Sequence, residues 1–226
     1  DFIFTRVIAR VAVPFFFMVT GFFLLSKGTD VRRFLKKTAI IYAASAALYL
    51  PINVYAGHLQ SWDMIDLVQQ VFFEGTFYHL WYLPAAILGA WLTWKLMRRL
   101  SSGACLAAVA VLYLLGLLGD SYWGLVENVP VISSVYNALF ALMGYTRGGL
   151  FFAPIFMWLG AQLRYAKPRG AGFEIAGLIV SFALMLAEAL NARAQGWQRH
   201  DSMYVLLPAV MYFLFALLSR WKGTVK

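Results

Sequence analysis

Val7-Ile-Ala-Arg10-Val-Ala-Val-Pro14-Phe-Phe-Phe-Met-Val-Thr-Gly21-Phe-Phe-Leu-Leu25 carries a single charge, Arg10, in an otherwise apolar run. A helix of about 20 mostly apolar residues crosses a bilayer, and this stretch has that length and character. Six further runs follow, near Thr38–Tyr55, Leu80–Met97, Ala104–Gly119, Gly148–Tyr165, Ala171–Leu190 and Ser202–Trp221. The expected fold class is an all-α integral membrane protein, a bundle of about seven transmembrane helices. Ala104–Gly119 is the shortest of the seven.

Composition points the same way. Of 226 residues, 62% are hydrophobic and 13% charged, against about 45–50% and roughly 25% in soluble domains. A soluble surface needs more polar groups than this chain has. The 8 Trp and 12 Tyr suit anchoring at bilayer interfaces. The net charge of +9 comes from short clusters of Lys and Arg between apolar runs. Such clusters set topology and give no nucleic-acid surface. The single cysteine, Cys105, excludes an intrachain disulfide. No phosphate loop, HExxH helix or His/Cys spacing of a metal site occurs, so no metal or bound cofactor is expected.

The positions of the cations set orientation. Lys27, Arg32, Arg33, Lys36, Lys37, Lys95, Arg98, Arg99, Arg164, Lys167, Arg169, Arg220, Lys222 and Lys226 fall in alternate connections, 14 of the 19 Lys and Arg. The positive-inside bias assigns them to the cytoplasm. Arg6, Arg10, Arg147, Arg193 and Arg199 then lie towards the outside, with His58, His79, His200 and most acidic residues. The expectation is a multi-pass protein of the cell inner (plasma) membrane with a cytoplasmic C-terminus. The sequence starts at Asp1, already outside, so we read it as one transmembrane domain over residues 1–226 that lacks its first helix.

Two outer connections have helical character. In Trp62–Phe73, Met64, Ile65, Val68, Val71 and Phe72 share one arc, and Asp63, Asp66 and Gln70 the opposite one, as in an interfacial helix. Val129–Tyr145 reads as a second interfacial or re-entrant helix, since Ser133, Ser134 and Asn137 make it too polar for a span.

Charges inside hydrocarbon are costly, which makes each a functional candidate. Arg6 and Arg10 are one helical turn apart, and Pro14, Phe17 and Gly21 continue their face. Pro14 predicts a kink. The face reads as a cationic, kinked cavity wall, or as arginines snorkelling to the headgroups. Glu174, Gly177, Ser181 and Glu188 form a stripe on the sixth run. Glu188 lines a polar pocket or pairs with Arg10 or Arg147; otherwise the stripe is helix packing through Gly177 and Ser181. His79, in His79-Leu-Trp81-Tyr-Leu-Pro84, is an acid–base candidate, or a solvated member of an aromatic belt. His200-Asp201 resembles a base with its orienting carboxylate. Arg32, Arg33, Lys36 and Lys37 form a cytoplasmic run able to hold phosphates, or anionic lipid.

Arg10 to Leu24, with its Arg, its Pro followed by Phe residues and its Thr-Gly, resembles the second transmembrane helix of the acyltransferase-3 family. The basic turn at Arg32, Arg33, Lys36 and Lys37 follows it as in that family. His79-Leu-Trp-Tyr-Leu-Pro84 and Arg147-Gly-Gly-Leu-Phe-Phe-Ala-Pro154-Ile-Phe-Met-Trp-Leu-Gly160 are similar to the branch that includes the membrane part of vancomycin-resistance serine racemases. The resemblance runs from about Phe4 to Gly160 and more loosely to the C-terminus.

It implies a membrane acyltransferase that moves an acyl group, commonly acetyl, from cytoplasmic acyl-CoA to a hydroxyl of a glycan or other cell-envelope acceptor. Acyl-CoA is then a co-substrate. Arg32, Arg33, Lys36 and Lys37 would hold its phosphates, Arg10, Arg147 and Trp81 would line the path, and His79 and Glu188 would be catalytic. The family's main histidine would lie upstream of Asp1, and the span count is low for the family. In this sequence no racemase domain follows Lys226, and racemisation is not expected of it. The rival expectations are a carrier for a small solute such as an amino acid, an acyl relay without chemistry, and a scaffold for a partner enzyme.

Overall fold

The computed structural model describes residues 2–27, 30–56, 64–75, 80–167 and 169–220. The described residues are helical, without strands. The first helix is interrupted: α1 (Phe2–Arg6), a 3₁₀ turn (Ile8–Val11), α2 (Ala12–Thr20) and a π turn (Gly21–Leu25). Then come α3 (Val31–Tyr55), α4 (Met64–Gln69) with a π turn to Glu74, α5 (Tyr82–Arg99) and α6 (Ser102–Leu118). α7 (Pro130–Met143), α8 (Ala153–Leu163), α9 (Ala171–Ala194) and α10 (Leu207–Arg220) complete the chain.

Three of these, Phe2–Leu25, Val31–Tyr55 and Ala171–Ala194, are long and apolar enough to cross a bilayer. Each of the other expected runs holds a helix, but Ser102–Leu118, Ala153–Leu163 and Leu207–Arg220 are shorter. The seven-span count is therefore not established by helix length. Leu48 on α3, Val131 on α7 and Ile179 on α9 turn large apolar side chains outward, as a lipid-facing surface requires.

Pro14 acts on the turn before it. It has no amide hydrogen, and its ring crowds the carbonyl four residues back, that of Arg10. The tightened turn at Ile8–Val11 lies there. The departure from regular α-helix thus sits one turn upstream of the proline, at Arg10 itself.

The core forms around α8. Ala153–Met157, Gly160 and Ala161 are buried, and α8 packs against α2, α5, α6 and α10. It meets α2 through paired glycines. A methyl built on Gly21 would lie 1.9 Å from the Met157 carbonyl oxygen, and one on Gly160 would lie 2.1 Å from that of Met18. Only hydrogen at both positions allows this backbone contact, the device by which membrane helices approach closely. α5 offers a similar small face, with Ala85, Ala86, Gly89, Ala90 and Thr93 all buried. α9 and α10 pack through the expected stripe: Gly177 receives the Phe213 ring, and Ser181 is buried. Glu174 is ion-paired with Arg220.

α7 is a continuous helix, starting on Pro130 and ending at Gly144, which has φ +67°. Its Tyr136 hydroxyl donates to the Leu115 carbonyl, which ties it to the far end of α6. In the other outer connection, Trp62 and Asp63 lie outside the described residues.

Gly160→Ala should destabilise the fold by at least about 1–3 kcal/mol, the cost of overpacking. Thermal unfolding in detergent reads this. Gly172→Ala, where a methyl meets open space, should leave the transition unchanged or slightly raised. Equal melting of Gly160→Ala and the parent would contradict the backbone crossing.

Candidate functional site

Asp120 follows α6 and is fully buried. Its Oδ1 accepts the Ser202 amide at 2.7 Å, the Met203 amide at 2.9 Å and the Ser121 hydroxyl at 3.0 Å. Its carbonyl accepts the amides of Arg199 at 3.1 Å and His200 at 3.4 Å. One residue thereby shapes the connection between α9 and α10. Burial pushes its carboxyl up from the ordinary range, against the downward pull of those hydrogen bonds and of Arg147.

That connection presents charge to the start of the chain. Asp201 Oδ1 accepts from Arg10 at 2.8 Å and from Arg6 at 3.0 Å. It therefore serves the arginines and does not form a separate dyad with His200. Arg147 extends its guanidinium across two rings, 4.4 Å from the Tyr145 centroid and 5.4 Å from that of Trp81. Its Nη1 lies 3.5 Å from the Ser202 hydroxyl, at the limit of a hydrogen bond. The His200 ring packs 4.6 Å from Tyr145. Arg199 covers Phe140 at 3.6 Å and donates to the Gly144 carbonyl at 3.1 Å. Between the groups lies a cavity of about 50 Å³, lined by Arg10, Pro14, Trp81, Arg147, Phe152 and Ser202 among others.

The match to a family model decides what this bundle is. A model of the acyltransferase-3 family, described as an acyltransferase domain, matches residues 1–224. The chain belongs to the acyltransferase-3 family. It is 42% identical over 99% of its length to an "amino-acid racemase" of Enterococcus faecalis, and 38% identical over its whole length to a second protein of that name and organism. It is 36% identical over 98% of its length to a "serine/alanine racemase" of Enterococcus gallinarum. In each case it spans about a third of the relative: 32%, 34% and 33%. No solved structure matches.

Within this acyltransferase-3 domain the structure brings Arg10, Trp81 and Arg147 to one cavity. It sends Glu188 elsewhere. The Glu188 carboxylate accepts the Tyr122 hydroxyl at 2.7 Å and the amides of Val205 at 2.6 Å and Leu206 at 3.1 Å. It thus caps the start of α10, where negative charge is favoured, and forms no ion pair with Arg10 or Arg147. His79 and His58 lie outside the described residues. Arg32, Arg33, Lys36 and Lys37 are exposed on the first turns of α3. They occupy the opposite end of the bundle, where Tyr165 on the far side of α8 bonds the Ser26 carbonyl at 2.8 Å. The described residues contain no cluster of His, Cys, Asp or Glu able to hold a metal.

Sequence reasoning missed Asp120, Asp201 as the arginines' partner, Tyr145 and Ser202. The only local signal was an acidic residue ending an apolar helix, in Leu117-Leu-Gly-Asp120-Ser121.

Burial, with Arg199 and Arg147 nearby, lowers the His200 pKa from 6.5 to about 4. As pH falls, the unfolded chain binds this proton first, so stability is complete above about pH 6.5 and is lost as pH drops towards 4. His200→Gln cannot take the proton and should flatten that limb. Thermal unfolding measured between about pH 7 and pH 4 checks this. An unchanged limb in the variant would assign it to other groups.

Proposed function

We propose that the chain is the transmembrane part of an O-acyltransferase, which takes an acyl group, acetyl first of all, from cytoplasmic acyl-CoA. The acceptor is a hydroxyl of a glycan or other envelope molecule at the opposite face. Family membership supports acyl transfer, and one observation supports the donor end. Four cations, Arg32, Arg33, Lys36 and Lys37, sit exposed on the first turns of α3. Positive charge at a helix N-terminus is unfavourable against the helix dipole. A cluster there is costly in isolation and favourable once an anion joins the free amides and side chains. The phosphates of coenzyme A have that charge.

The chemistry has a simple balance. The acceptor hydroxyl attacks the thioester carbonyl, a C–O bond forms, the C–S bond breaks, and coenzyme A leaves as a thiol. The hydroxyl proton needs a base whose pKa lies near the working pH. His200, at about 4, is too weak. His79 is the better candidate. Arg10, Arg147 and Trp81 would line the acceptor side of the path. Glu188 has no place in it, because both its oxygens are engaged.

A second reading has one observation in its favour. The relatives are named for racemases of amino acids, and a carrier for a small amino acid would suit that setting. Thioester cleavage separates the two readings.

Full-length protein in liposomes, given acetyl-CoA and envelope glycan on opposite sides, should release coenzyme A. A double Arg32→Ala, Arg33→Ala variant removes two charged contacts, each worth about 1.5–3 kcal/mol, so release should fall at least about 100-fold. Normal release by a folded double variant overturns the donor site. No release with any acyl-CoA and acceptor overturns the transferase and leaves the carrier.

A further inference from the structure

The positive charge around the cavity is only partly neutralised. Asp201 is shared by Arg6 and Arg10 through one oxygen. The Nε of Arg10 is buried without a hydrogen-bond partner among the described residues. Arg147 has no carboxylate within ion-pair distance among the described residues, and rests on the Trp81 and Tyr145 rings. Asp120, a buried acid that interacts electrostatically with Arg147, has its Oδ1 committed to Ser202, Met203 and Ser121 and its Oδ2 buried without a hydrogen-bond partner among the described residues. Arg10, Arg147 and Ser202 thus line one small space, with apolar walls from Pro14 and Phe152.

Guanidinium groups with hydroxyl support recognise carboxylates and phosphates, and apolar walls strengthen the attraction. The space, about 50 Å³, exceeds what one water needs and has room for a carboxylate group. Arg6, Arg10 and Arg147 against Asp120 and Asp201 leave one formal positive charge, which matches a singly charged carboxylate rather than a doubly charged phosphate.

We propose that the cavity between Arg10 and Arg147 binds the carboxylate of a small organic acid. The binding itself does not depend on acyl transfer. Where it rests on the transferase reading, it says that the acceptor carries a carboxylate, seated here, next to the hydroxyl that is modified.

The test uses full-length protein in nanodiscs, without acyl-CoA. Propionate and alanine are titrated calorimetrically against propionamide and alaninamide, which lack the carboxylate. In parallel, modification of Arg147 by phenylglyoxal is followed by mass spectrometry. At least one acid should bind saturably, its amide should not, and Arg147→Gln should weaken binding at least about tenfold, as expected for a lost charge-assisted bond. The bound acid should slow modification of Arg147 in the unaltered protein, which decides the matter if the variant fails to fold. Absence of acid binding, equal binding of the amide, or binding of inorganic phosphate alone would overturn the assignment. Coenzyme A release without carboxylate binding sinks this inference and leaves acyl transfer standing. Carboxylate binding without release does the reverse.

Discussion

Asp120 is buried at the end of α6 and accepts hydrogen bonds from backbone and side chain at Ser121, Ser202 and Met203, while its carbonyl takes Arg199 and His200. A buried carboxylate is costly unless it is satisfied. Here Oδ1 is satisfied largely by a segment some eighty residues downstream, while Oδ2 is buried without a partner among the described residues, and that segment is fixed in return. Fixing it places Asp201 against Arg6 and Arg10, and Ser202 against Arg147. The charged end of the molecule is therefore one connected structure. Asp120 positions it without touching the cavity that we assign to ligand.

The scaffold beneath has a complementary logic. α8 has 11 residues, about 16 Å at the rise of an α-helix, well short of a hydrocarbon core. Such a helix is tolerated at membrane depth when protein surrounds it, and α8 is buried along nearly its whole length. The Gly21–Gly160 crossing holds α2 against it, which sets the depth of Pro14 and so of the tightened turn at Arg10. Backbone contact in the core and side-chain chemistry at the end are linked through this one helix.

Much of this was legible in the sequence. The Arg10–Pro14–Phe17–Gly21 face follows from helical spacing, and Pro14, Phe17 and Gly21 are buried. The Glu174–Gly177–Ser181 stripe also follows, as a packing surface. Gathering of Arg10, Trp81 and Arg147 came from motif resemblance rather than from pattern. What stayed hidden depends on distance along the chain. Nothing near Asp120 signals its partners at 199–203, nothing near Asp201 signals Arg6, and Glu188 reads as a functional acid until the turn leading into α10 supplies two amides to its carboxylate. Span number was hidden for a different reason: hydropathy counts apolar runs, while α8 and α10 are shorter helices than their runs suggest.

Labelling by a photoreactive analogue of acetyl-CoA tests the two-ended arrangement most directly. The full-length protein in sealed vesicles is irradiated, digested and mapped, with excess coenzyme A as competitor. The arrangement predicts competable adducts on the peptide carrying Arg32 to Lys37, at the start of α3. Competable adducts on peptides carrying Arg6 and Arg10, or Tyr145 and Arg147, with none at α3, would contradict it and place the donor in the cavity.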